Sequence, residues 1–166
     1  MLSKHAVVKD VFNHFAKKLN ILVNPFEKFD NENSTEVLYE IARQCAEKTY
    51  IHPKWATMAG NILTHILHKD LQTIKKWALV FQNQLDPGVC AFVAEHHLEL
   101  ETMIDHSRDY GFDFFAISTL KNGYLLKNGE YMETPQHMYM RVAIFLNAPS
   151  LAAIKETYDT ISKGLY

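Results

Sequence analysis

The stretch Glu133-Thr-Pro-Gln-His-Met-Tyr-Met-Arg-Val-Ala143 limits what this chain can become more than any other. Thr134 ahead of Pro135 reads as a helix start. Its hydroxyl can accept an orphan N–H, proline is tolerated at the first helical position, and Glu133 faces the positive end of the helix dipole. Beyond this cap lie Met138, Tyr139, Met140, Val142, Ala143, Ile144, Phe145 and Leu146, interrupted by Arg141. A helix apolar on nearly every side has to be buried on several of them. It is too short to span a bilayer, so the pattern predicts a central helix of a globular domain. Arg141, buried with it, needs a carboxylate or carbonyl partner.

Upstream, Tyr124-Leu-Leu-Lys-Asn-Gly-Glu-Tyr-Met132 reads as two short arms about Asn128-Gly129, a dipeptide that supplies the positive φ angles of a two-residue hairpin turn. Everything else has helical period. Val7, Val11, Phe12, Phe15 and Leu19 share a face of a first amphipathic segment, which a polar linker around Asn24-Pro25 sets off as an arm. Asn33 with Glu36 resembles a capping box opening Val37, Leu38, Ile41, Ala42 and Cys45. His52-Pro53 restarts the chain into Trp55, Met58, Ala59, Ile62, Leu63 and Ile66. Asp70 is placed to cap Leu71, Ile74, Trp77, Ala78 and Phe81. Asp86-Pro87 opens Val89, Phe92 and Val93, with Leu100, Met103 and Ile104 further on. Phe112, Phe115, Ala116, Thr119 and Leu120 give a helix ended by Asn122-Gly123. Pro149 or Ser150 starts the last, with Leu151, Ile154, Tyr158 and Ile161 before a stop at Gly164. The expected fold is all-α, an orthogonal array of about eight or nine helices with one small β-hairpin near 124–132. It divides into an N-terminal helix and linker, 1–33, and a helical domain, 34–166.

Seventeen basic and nineteen acidic residues give a net charge of −2, no footprint for nucleic acid or an anionic membrane. No stretch is apolar enough for a signal peptide or a membrane span. Cys45 and Cys90 stand far apart and outside any CxxC pattern, which fits a reducing, cytoplasmic setting. Cys45 lies on an apolar stripe and reads as a small buried hydrophobe. His65 and His68, and the trio His96, His97 and His106, are the places to look for a metal. Their spacing with Cys90 matches no standard zinc box, so no metal ligand is assigned. Glu95, Glu99 and Glu101 read as a solvated face. Asp105 and Arg108 can meet on adjacent turns and read first as a structural ion pair. No nucleophile elbow, P-loop or dinucleotide fingerprint is present, so no catalytic or cofactor-binding residue is assigned and no cofactor is expected.

Three blocks carry a resemblance: Asp105-x-x-Arg108-Asp109-Tyr110; Thr119-Leu120 followed by Tyr124-Leu-Leu-Lys127; and Glu133 to Ala143 with Thr134, Pro135, Gln136 and Arg141 inside it. In order and spacing the chain resembles the N-terminal helical domain of the class I ribonucleotide reductase large subunit. The His52-Pro53 stretch extends the likeness upstream to about Val37. Ala116 and Thr134 depart from the family, where many members have glycine and arginine. The Lys-Arg-Asp-Gly-type hairpin that opens the family's nucleotide-binding cone is not found, so ATP control of overall activity is not expected from these residues.

The resemblance implies that the redox cysteines, the substrate and effector loops and the radical-bearing cysteine belong to an α/β barrel that follows the helical domain. The family pattern runs through Glu156-Thr157-Tyr158 to Tyr166, where the barrel's first strand is expected. It follows that Asp105, Arg108, Asp109, Tyr124, Thr134, Pro135, Gln136 and Arg141 form a structural motif, with Arg141 and the Asp105–Asp109 segment tied together inside the domain. The domain's role would be to brace a catalytic barrel supplied elsewhere, in a split or truncated subunit that serves deoxyribonucleotide synthesis without being catalytic alone. The expected partner is that barrel portion, with the small subunit engaged indirectly and self-association through the apolar face that the barrel would cover. The alternative is a reductase-derived, non-catalytic interaction module that binds reductase subunits. A metal-dependent hydrolase would rest on histidine count alone.

Overall fold

The computed structural model describes residues 4–20 and 34–165. They fold into eight α-helices, short 3-10 turns and one two-stranded antiparallel hairpin, the all-α class that the periodicity predicts. Two compact units form. One gathers Met1–Lys69 and Tyr110–Thr119, and the other Asp70–Asp109 and Leu120–Tyr166.

The first unit is built from α1 (Lys4–Leu19), α2 (Ser34–Glu47) and α3 (Lys54–His68). Val37, Leu38, Ile41, Ala42 and Cys45 lie buried along α2, and Trp55, Met58, Ala59, Ile62 and Leu63 along α3, as their spacing requires. Each large apolar side chain so buried contributes roughly 1.5–3 kcal/mol. The proposed capping residue Asn33 lies outside the described residues, as does the polar linker. The expectation of a detached first arm gives way: Phe12, Phe15 and Ala16 of α1 are buried in the same core as α2 and α3. Gly60 is required for the packing of α3, because a Cβ there would stand 2.3 Å from the Phe112 carbonyl oxygen.

α6 (Phe114–Gly123) begins in this unit, and its phase differs from the expected stripe. The Asp113 carboxylate accepts the Ala116 N–H at 2.9 Å, so the helix starts at Phe114 and turns Ile117 into the core. Phe115, placed inside by the sequence pattern, is 62% exposed.

The second unit holds α4 (Ile74–Phe81), α5 (Pro87–Met103), the hairpin strands β1 (Lys127–Asn128) and β2 (Tyr131–Met132), α7 (Pro135–Asn147) and α8 (Leu151–Ser162). Trp77, Val93, Leu100, Met140, Ile144, Ile154 and Tyr158 form its core. Thr73, not Asp70, caps α4, accepting the Lys76 N–H. Leu71 precedes the helix rather than joining its stripe. Glu101, expected on a solvated face, accepts the Ile74 N–H at 2.7 Å and completes that cap from α5. At the next start the Asp86 carboxylate accepts the Gly88 N–H ahead of Pro87, and α5 then loses helical geometry at His96. Ser150 caps α8, and Gly164 at φ 65° follows its end, as the sequence predicts.

The hairpin turn is shifted by one residue. Asn128 pairs with Tyr131, so Gly129 and Glu130 are the loop and Gly129 alone takes a positive φ, 61°. That suits a turn with glycine at its first central position. Asn128 is thereby free to donate from its side chain to the Val80 carbonyl at 2.6 Å, while Gln84 donates to the Lys127 carbonyl at 2.9 Å. Two side-chain bonds thus tie the hairpin to the α4 end.

Candidate functional site

Polar side chains concentrate around the start of α7, within the second unit. Thr134 is its N-cap and accepts the His137 N–H, with Pro135 in the first turn. Glu133, one residue earlier, has a side chain with no solvent exposure. The chain places it there because its backbone N–H donates to the Leu126 carbonyl at 2.8 Å, closing the hairpin onto the helix. In return its carboxylate accepts the Leu126 N–H at 3.1 Å. Two turns along α7, Arg141 reaches back and donates from Nε to Glu133 Oε1 at 3.1 Å and from a terminal nitrogen to Oε2 at 3.0 Å. This is the bidentate geometry that makes an arginine–carboxylate pair directional. Arg141 also donates to the Tyr124 carbonyl at 3.4 Å.

Burial pushes the Glu133 carboxyl upward, against the opposing pull of Arg141 and the Leu126 N–H. The Trp77 indole N–H lies near enough to favour the carboxylate, yet it meets no acceptor at hydrogen-bond geometry. The Trp77 ring stacks on the His137 imidazole, centroids 5.5 Å apart and planes 15° from parallel, and His106 meets the other ring of that pair edge-on at 4.8 Å.

A second branch runs from Gln136. Its amide donates to Asp109 Oδ1 at 2.9 Å, and its carbonyl accepts the Tyr158 hydroxyl at 2.6 Å. Asp109, Gln136 and Tyr158 are all fully buried, so each of these bonds satisfies groups that water cannot reach. The same Tyr158 oxygen accepts the Asp105 N–H at 2.9 Å. Arg108 lies over the Tyr158 ring at 5.2 Å and pairs with Asp159 at 2.9 Å and Asp105 at 3.3 Å. Lys155 first, then Arg108, holds the Asp159 carboxyl down at about 2. Asp105 is lowered mainly by Ser107.

The residues singled out from sequence therefore separate into two groups. Asp105, Arg108, Asp109 and Gln136 belong to the branch that joins α7 to α8. Thr134, Pro135, Arg141 and the Tyr124 carbonyl belong to the clasp on the hairpin, while the Tyr124 side chain is 62% exposed. Arg141 was expected against the Asp105–Asp109 segment. Its partner is Glu133 instead, and Gln136 makes the tie to Asp109. Tyr158, Asp159 and Ser162, whose hydroxyl accepts from Arg108 at 2.5 Å, are network members that the sequence does not point to. Tyr158 and Asp159 are adjacent on α8 and Ser162 lies one turn on, and the only signal was that α8 carries tyrosine on its apolar face.

Burial pushes the Cys45 thiol up to about 12, and Cys90 is raised for the same reason. A thiol held so far above neutrality is a poor nucleophile. In the first unit a groove of about 440 Å3 is lined by Asp10, His14, Phe15, His65 and Tyr110. His65 is lowered there by burial first, and then by His68 and His14. The His96 ring lies on Phe92 at 4.4 Å, and His68 meets Tyr110 edge-on at 5.3 Å.

These features define an all-α domain whose buried polar residues bond to one another and lock a hairpin and two helices into one piece. The comparisons agree. Residues 110–166 match the family model described as the ribonucleotide reductase all-alpha domain. Over 160 residues, 90% of the chain, it is 31% identical to a ribonucleoside-diphosphate reductase large subunit of African swine fever virus (isolate Pig/Kenya/KEN-50/1950), and covers 20% of that protein. Over 136 residues, 73% of the chain, it is 32% identical to large chain 2 of the Saccharomyces cerevisiae enzyme and 35% identical to the Neurospora crassa large chain, covering 15% and 14% of them. The chain belongs to the ribonucleotide reductase large-subunit family, in the part that forms its N-terminal all-α domain. It spans a fifth or less of the length of these relatives.

Proposed function

We propose that this domain braces the catalytic α/β barrel of a ribonucleoside-diphosphate reductase large subunit, contributing to deoxyribonucleotide synthesis in the cytoplasm without performing the chemistry itself. The observation that carries the reading is the two-faced character of α7. Its first half, through Met138, is buried almost completely, and the Glu133–Arg141 clasp and Gln136 fix it in place. Its second half turns apolar side chains outward, with Phe145 66% and Leu146 65% exposed beside Val142. A rigid helix that ends in an exposed apolar strip is a surface prepared for another protein surface. We propose the network residues Asp105, Arg108, Asp109, Gln136, Thr134 and Arg141 as the structural means of that rigidity, with residues 1–33 as an N-terminal extension of a helical domain at 34–166. Among the described residues no helix is long and apolar enough to cross a membrane.

The test is a reconstituted reductase assay with a barrel polypeptide and the small subunit, with and without the present chain. The brace reading expects deoxynucleotide formation to rise when the chain is added. Full activity of the barrel polypeptide by itself would overturn it.

A further inference from the structure

We infer that the groove between α5 and α7 takes an amphipathic helix of the partner whose apolar stripe is edged by lysine or arginine. The inference rests on the docking reading above and adds the chemistry of what docks. Within the second unit a groove of about 360 Å3 runs between these helices. Val89, Phe92 and Ile144 line it, and Phe145 stands as an exposed wall. Two carboxylates border it, Asp86 at the start of α5 and Glu95 two turns on.

Charge complementarity selects the occupant. α5 carries Glu95, Glu99 and Glu101 and no lysine or arginine. Glu101 is engaged on α4, whereas Glu95 and Glu99 are exposed, the Glu95 side chain by 76%. α7 contributes one cation, Arg141, and that is committed to Glu133. The charge bordering the groove is therefore that of Asp86 and Glu95 on α5, with the His96 ring 3.8 Å from Glu95. An apolar floor with an acidic border suits a helix with leucine or phenylalanine at i, i+3, i+4 and i+7 and cations flanking them. An acid-edged helix of the same apolar pattern would meet like charge at the border and be rejected.

The experiment uses the whole chain and two synthetic helical peptides with one leucine pattern, lysine-edged in one and glutamate-edged in the other, read by fluorescence anisotropy. The lysine peptide is expected to bind about tenfold more tightly than the glutamate peptide, with a preference that shrinks as salt rises. Phe145→Asp should weaken the lysine peptide about tenfold, and Glu95→Lys should reduce or reverse the preference. Both side chains are exposed, and an unchanged circular dichroism spectrum verifies the fold of each variant. Equal binding of the two peptides, or indifference to both substitutions, overturns the inference. A barrel polypeptide that binds and is not displaced by excess lysine peptide also overturns it, while leaving the brace reading intact. If the lysine peptide binds as described and the barrel polypeptide does not, the brace reading fails and the groove's preference stands.

Discussion

Replacing Arg141 by methionine isolates the clasp. The substitution keeps an unbranched apolar stem and removes the cation, so Glu133 is left with no solvent exposure, the Leu126 N–H and no countercharge. Breaking a buried ion pair by removing one partner costs roughly 3–5 kcal/mol. Because the Arg141 side chain is 25% exposed, the lower end applies, about 3 kcal/mol at pH 7. The penalty has a sign in pH. Glu133 is already raised above its ordinary value of 4.5 when folded, and loss of Arg141 raises it further. A carboxyl whose folded value is raised favours the folded state most below its unfolded value, and that advantage is lost as pH rises through the folded value. The penalty of Arg141→Met should therefore shrink to about 1 kcal/mol below pH ~4.5, where Glu133 is protonated and only packing and one neutral bond are missing. Urea unfolding followed by circular dichroism at pH 7 and pH 4 measures both values. Adding Glu133→Gln to Arg141→Met should recover part of the loss at pH 7. An equal penalty at both pH values, or no recovery in the double variant, would refute the argument that a buried unpaired charge is the cause.

Gly60→Ala would set a methyl group against the Phe112 carbonyl, and since the obstacle is backbone, a loss of about 2–3 kcal/mol is expected in thermal unfolding. Tyr158→Phe should cost about 1–3 kcal/mol, because it leaves the Gln136 carbonyl and the Asp105 N–H without their shared hydroxyl; an unchanged unfolding midpoint would contradict the network. Asp159 is held at about 2 against an ordinary 3.8, so it contributes stability above pH ~3.8 that is lost as pH falls through ~2. Asp159→Asn should accordingly be less stable than the parent by about 1 kcal/mol at pH 7, after allowance for solvent screening, with the difference closing near pH 2 in an acid titration.

Sequence reading reached the elements better than the connections between them. The α2 and α3 stripes were legible because apolar residues at helical spacing leave one buried face, and Thr134-Pro135 was legible because cap chemistry is local. Where several phases were available, local competition decided. Asp113 started α6 in a phase that buries Ile117 and exposes Phe115. The turn at Gly129 is moved by one residue, and Asn128, now in the strand, bonds the distant Val80 carbonyl. Pairings of distant groups were not legible. Arg141 clearly needed an acceptor, but Asp105, Asp109 and Glu133 were all available in the sequence, and only the closing of the hairpin brings Glu133 within reach. The same holds for Tyr158, whose hydroxyl is shared by residues far from it in the chain.

The most direct test of the bracing role is amide hydrogen exchange along α7 with and without a barrel polypeptide of a reductase large subunit. Residues 137–141, already held by the cap and the clasp, should exchange slowly in both states. Residues 142–147 should become protected when the barrel is present, with Phe145 and Leu146 at the centre of the effect. Unchanged exchange over 142–147 in a complex that has formed would contradict the account.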